Sequence, residues 1–99
     1  MISLAGALTW HTAPRINEIV RDALRRRPLY VLVELTHLDA LDSPGLAALL
    51  TAAHTVALSD GRLRVIAAPD HIGFDSIVTA GLTRRLALRT KLSDALAEE

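Results

Sequence analysis

A chain of 99 residues holds one compact domain and leaves no room for a second. Hydrophobic residues make up 51% of it, yet charges break them up too often for the run of about eighteen apolar residues that a membrane span requires. Eleven basic residues balance eleven acidic ones, so no global field gathers nucleic acid or anionic lipid, and the absence of cysteine excludes disulfides, thiol nucleophiles and thiolate metal sites.

Only Trp10, Tyr30 and Phe74 are aromatic, too few to build stacking platforms for single-stranded nucleic acid. Met1 to Leu8 shows neither the basic region nor the small-residue cleavage site of a secretory peptide, so the expectation is a soluble, cytoplasmic protein with no membrane insertion.

In chain order, Ile2 to Leu8 is short, apolar and punctuated by Gly6, and reads as a first strand. Ile16, Ile19, Val20, Ala23 and Leu24 then recur at the spacing of a helix with one buried face, with Thr12 as its cap, Pro14 in its first turn and Pro28 at its exit. Arg25, Arg26 and Arg27 sit where that helix ends, the position at which cations complement the macrodipole. Leu29 to Leu35 is a nearly unbroken apolar run rich in β-formers, expected to be a central strand covered on both faces.

Thr36 to Asp42 reads as a turn region. Leu46, Leu49, Leu50, Ala53 and Val56 again have helical spacing until Asp60-Gly61 closes the segment. Leu63 to Ala68 is a third β-prone run, Asp70 is placed to cap a third helix carrying Ile72, Ile77 and Val78, Leu86 to Leu88 reads as a brief strand, and Leu92, Ala95 and Leu96 as a final short helix. Strands alternating with helices predict the α/β class with a mainly parallel sheet, because a parallel pair needs a long crossover that a helix supplies. Ligands of such sheets gather at the carboxyl ends of strands, which directs attention to Thr36 to Gly45.

Within that segment, Asp42 or Ser43 can accept a hydrogen bond from an unpaired amide at a helix start, and Pro44 at the first helical position gives up no helical bond. Val33 to Leu50 reads Val-Glu-Leu-Thr-His-Leu-Asp-Ala-Leu-Asp-Ser-Pro-Gly-Leu-Ala-Ala-Leu-Leu. This stretch resembles the signature region of STAS domains, the sulfate-transporter and anti-sigma-factor-antagonist family, in which a strand ending in Asp-Leu-Ser leads to Ile-Asp-Ser-Ser-Gly-Leu and a helix. Gly6-Ala7-Leu8-Thr9, Thr12-Ala13-Pro14, Gly61-Arg62-Leu63 and Ala80-Gly81-Leu82 are similar to other landmarks of the family, so the resemblance extends over almost the whole chain.

The resemblance implies a single small domain over residues 1–99, with a sheet of about four to five strands flanked by helices, used for docking. The implied partner is an anti-sigma factor of kinase-like fold, and the implied consequence is regulation of transcription. The expected contact has Asp42, Ser43, Pro44 and Gly45 at its centre and Thr9, His37 and Leu46 at its margin. In the family a kinase phosphorylates a hydroxyl of the quartet, and a phosphate of roughly −1.5 to −2 charges at a helix N-terminus spoils a surface shaped for a hydroxyl. Here the usual acceptor position is Pro44, and the acidic residues of the family's Gly-Glu-Leu-Asp turn are replaced by Ala7 and Thr9. Ser43 is the remaining candidate for phosphorylation, and a constitutive or otherwise regulated binder is expected.

Two alternatives stay open. One is a STAS accessory subunit of a membrane transporter or multiprotein signalling complex, using the same edge together with Ile72 to Leu82. The other is a small hydrolase built on Ser43, His37 and Asp42 or Asp39, which lacks the Gly-x-Ser-x-Gly turn. His11, His37, His54 and His71 show no metal-ligand spacing, and no phosphate-cradling or dinucleotide glycine motif occurs, so neither metal nor cofactor is expected and the chain is not expected to be an enzyme.

Overall fold

The computed structural model describes residues 2–91. Strand β1, Ile2–Leu8, alternates half-buried with exposed side chains and ends on the buried Leu8, the period of a strand with one covered face. Helix α1, Ala13–Leu24, carries Pro14 in its first turn and buries Ile16 and Val20. Ile19 stays exposed, so the buried stripe is narrower than the apolar spacing predicts. Thr12 stands at the N-cap but makes no cap bond. Its hydroxyl instead donates to the Ala7 carbonyl at 2.7 Å and accepts from the Thr9 amide at 3.0 Å, cinching the loop between β1 and α1.

Strand β2, Tyr30–Leu41, is the central strand, with β1 on one side and strand β3, Arg62–Ile66, on the other, every pairing parallel. The predicted turn from Thr36 is therefore corrected: the strand continues through Leu41. Its register against β1 explains the error. Ser3 pairs with Glu34 but Ala5 with His37, and Gly6 pairs with Leu38 but Ala7 with Ala40, so β2 carries one additional residue at each of two bulges. At the first bulge Leu35 and Thr36 together stand opposite Leu4, and at the second Asp39 is the additional residue; Thr36 and Asp39 are exposed. Gly6, beside the second bulge, has φ +77°, a conformation that a side chain disfavours.

Helix α2, Ser43–Leu58, joins β2 to β3 and buries Gly45, Leu49, Ala52 and Val56. Right-handed crossovers place α1 and α2 on the same face of the sheet, where they pack against each other, and α2 also covers β3. Helix α3, Ile72–Thr79, packs on β2, with Gly73 against the Leu35 side chain. Its cap is His71, whose Nδ1 accepts from the Gly73 amide at 3.3 Å, and not the predicted Asp70.

The strand count differs from expectation. Among the described residues the sheet has three strands, and where a fourth was predicted the chain makes an isolated bridge, Ile66 with Arg89. Val65 donates to Leu86 at 3.0 Å and accepts from Arg89 at 2.8 Å, but Ala87 between them has φ +47°, which bends the backbone out of extended geometry. Leu86 is nonetheless fully buried with Val20, Val33, Leu35, Leu49, Val56, Val65 and Ile77, so every element from α1 onward contributes to one core. Full burial of such side chains is worth about 1.5–3 kcal/mol each. The predicted final helix around Leu92, Ala95 and Leu96 lies outside the described residues. Among the described residues, no helix is long and apolar enough to cross a membrane.

Candidate partner-binding corner

Leu8 and Leu41 are paired at the ends of β1 and β2, so both strands deliver the chain to the same edge. Asp42 follows Leu41 with extended backbone, and its amide donates to the Leu8 carbonyl at 3.3 Å. Its carboxylate does two things. Oδ1 accepts from the Gly45 amide at 2.8 Å and caps α2, while Oδ2 accepts from the Trp10 amide at 3.1 Å and ties the loop after β1 to the start of the helix. Of the two capping candidates, Asp42 is the cap.

Gly45 is buried, and a Cβ there would run into the Leu8 carbonyl oxygen. Its contribution to the corner is therefore closeness of backbone approach and not surface. Ser43 and Pro44 are exposed, so among the described residues nothing seals the corner from solvent. Beside them runs a shallow cleft of about 550 Å³, lined on the α2 side by Asp42, Ser43 and Leu46 and on the α3 side by Asp75, Ser76 and Thr79. The α3 wall was anticipated only for the transporter alternative.

Thr9 lies in the adjoining loop, where its carbonyl accepts from the Thr12 and Ala13 amides at 3.0 and 2.7 Å. His37 is not brought to the cleft. It lies on β2 five residues before Asp42, about 16 Å along an extended strand, with Nε2 3.9 Å from Glu34 Oε1. The hydrolase arrangement is consequently not assembled, because the Asp42 carboxylate faces two backbone amides and the His37 ring faces Glu34. Among the described residues, no group of three or more potential ligand side chains is gathered for a metal ion.

One residue of this edge escaped the sequence reading. Trp10 is 64% exposed, its ring centroid 3.6 Å from that of His11, and its amide is the one held by Asp42. The available signal was a lone tryptophan between a strand and a helix; what sequence alone does not give is that Asp42, thirty-two residues away, fixes it.

A parallel three-stranded sheet with helical crossovers and an open, hydroxyl-bearing strand-to-helix corner defines a small α/β module. The STAS family model described as "Mlab, STAS domain" matches residues 1–90, and the chain belongs to the STAS domain family. Its fold is similar to the crystal structure of an anti-sigma factor antagonist from Mycobacterium paratuberculosis, with a TM-score of 0.80 and 24% identity over 96% of this chain and 80% of that one. It is also similar to the NMR structure of the protein TM1081, with a TM-score of 0.79 and 16% identity over 97% of this chain and 77% of that one. No curated protein matches the chain.

Proposed function

We propose that this chain is a non-catalytic, cytoplasmic binding module of the anti-sigma factor antagonist type, which regulates transcription by docking an anti-sigma factor of kinase-like fold. The observation that carries the reading is the corner itself. Ser43 and Pro44 stand exposed on a frame fixed by the bidentate Asp42 carboxylate, next to an exposed tryptophan and an open cleft. Tryptophan supplies a large, stiff contact area and is the residue type most enriched where binding energy concentrates. The anti-sigma factor antagonist among the similar structures supports a protein partner of this kind, while membership of the STAS domain family fits both this reading and the alternative below.

Affinity capture of a kinase-like anti-sigma factor from the same genome tests the reading. Wild type retains the partner, and Trp10→Ala weakens retention about thirty-fold, the equivalent of ~2 kcal/mol. Ser43→Arg, which crowds the cleft, weakens it comparably. Undiminished retention by the Trp10→Ala/Ser43→Arg double variant rules the corner out. The transporter or signalling-complex alternative draws on α3 as well, and the cleft's wall of Asp75, Ser76 and Thr79 favours it. Capture of transporter subunits in place of an anti-sigma factor selects it.

The switch familiar in the family is weakened here on two counts. Pro44 has no hydroxyl, and a phosphate on Ser43 would share its cleft with the carboxylates of Asp42 and Asp75. The helix N-terminus favours the added charge, but two carboxylates nearby oppose it. Incubation with the kinase-like partner and ATP is expected to leave Ser43 unmodified by intact-mass spectrometry. Stoichiometric phospho-Ser43 overturns the constitutive reading while leaving the docking site in place.

A further inference from the structure

The chain's positive charges are unevenly placed. Five of them, Arg62, Arg64, Arg84, Arg85 and Arg89, line one cleft of about 330 Å³ beside the second half of α2, about three turns along the helix from Ser43. Among the described residues, no acidic side chain lines it. Arg64 and Arg89 already interact within the chain, Arg64 over the Tyr30 ring and Arg89 through a bond from Nη1 to the Leu88 carbonyl at 2.8 Å, so a ligand would meet chiefly the rim formed by Arg62, Arg84 and Arg85, where gathered like charges attract an anion. Arg62, Arg84 and Arg85 are exposed and take part in no ion pair among the described residues.

The cleft is framed stiffly. Arg64 is only 6% exposed, and its guanidinium lies 4.4 Å above the centre of the Tyr30 ring. Along β3 the Arg62 amide donates inward to Leu29 while the Val65 amide donates outward to Leu86. The alternation of a parallel strand therefore turns the Leu63 amide outward too, into the cleft that Leu63 lines. On the other wall, Ala87 donates to the Arg84 carbonyl at 3.1 Å and Leu88 to the Thr83 carbonyl at 2.9 Å, with Ala87 held at φ +47°. That curled turn carries Arg84 and Arg85 to the rim. Backbone held in a sparsely populated conformation is a recurrent feature of ligand clamps.

We propose that this cleft binds a small ligand carrying two or more linked phosphate groups, independently of the partner-docking corner. Guanidinium forks match phosphate oxygens in pairs, and an outward amide adds a neutral donor of the kind that cradles phosphate. The volume is at the lower end of small-ligand sites and holds a short phosphate chain. Nucleic acid is disfavoured because the chain has no net charge and the nearest aromatic ring, Tyr30, is already covered by Arg64.

The test uses the full chain and inorganic tripolyphosphate at about 0.15 M salt, where weak surface attraction is screened. Calorimetry is expected to show saturable one-to-one binding. Amide NMR shifts should concentrate at Leu63, Arg64 and Arg84 to Arg89 and spare Asp42 to Leu46. Arg84→Ala/Arg85→Ala, at two exposed positions, weakens binding about tenfold or more without moving the unfolding midpoint or anti-sigma capture. The proposal is overturned by absence of saturable binding, by equal affinity of the double variant, or by poly-glutamate or anionic vesicles engaging these arginines when tripolyphosphate does not.

Discussion

Gly45→Ala is expected to lower the unfolding midpoint by about 10 °C and to abolish partner capture, although it adds a single methyl group to a good helical position. The added carbon meets the Leu8 carbonyl oxygen and lies 2.9 Å from the Leu8 carbonyl carbon, and both are backbone atoms that cannot rotate aside. Either α2 retreats from β1 or the end of β1 is displaced. Both responses lengthen the 3.3 Å bond from the Asp42 amide to the same carbonyl. Overpacking of this kind costs about 1–3 kcal/mol and the strained hydrogen bond about 1 more, against which the gain in helix propensity over glycine, about 1 kcal/mol, is too small. Ser43→Ala, two residues away and exposed, serves as the control and should unfold within about 2 °C of wild type. Circular dichroism on the two variants decides the matter: an unchanged midpoint for Gly45→Ala means that the close approach of α2 and β1 does not hold the corner.

Asp42→Ala removes both clasps at once. The helix loses its cap and the Trp10 amide loses its acceptor, with an expected destabilisation of about 2–3 kcal/mol in chemical denaturation. Asp42→Asn separates the two contributions. An amide side chain has one acceptor oxygen, which satisfies the shorter bond to Gly45 and leaves Trp10 facing an NH2 group. Hydrogen exchange should therefore speed up at both amides in the alanine variant and at Trp10 alone in the asparagine variant. If Trp10 remains as protected in Asp42→Ala as in wild type, the carboxylate does not position the tryptophan loop.

Much of this architecture is legible in side-chain spacing. Val31, Val33 and Leu35 read as buried strand positions and are buried, and Leu49 and Val56 mark the inner face of α2. Residue type and position narrow the cap of α2 to Asp42 or Ser43, and the bond from the Gly45 amide selects Asp42. The path from Thr36 to Leu41 was illegible for a definite reason. Thr36, His37 and Asp39 are polar and interrupt the alternation, and only pairing with β1, a non-local fact, shows that the chain stays extended. The same limit hid the fourth edge of the sheet, where one left-handed alanine reduces a predicted strand to a bridge. It also hid the separation of His37 from the corner, since closeness in sequence within a strand is distance in space.

The bulges of β2 have a consequence for how the edge is oriented. Each additional residue inverts which side of the sheet the following side chains occupy, so one inversion operates between Thr36 and Asp39 and a second restores the original sense before Asp42. The parity of the chain length between Glu34 and Leu41 thus sets which side of the sheet Leu41 presents where the strand hands over to Asp42 and α2. Removing one residue from this stretch would turn Leu41 toward the opposite side of the sheet, whereas removing one from each bulge would shorten the strand and keep the end of β2 facing as it does, so length variation among relatives with a working corner should proceed in pairs.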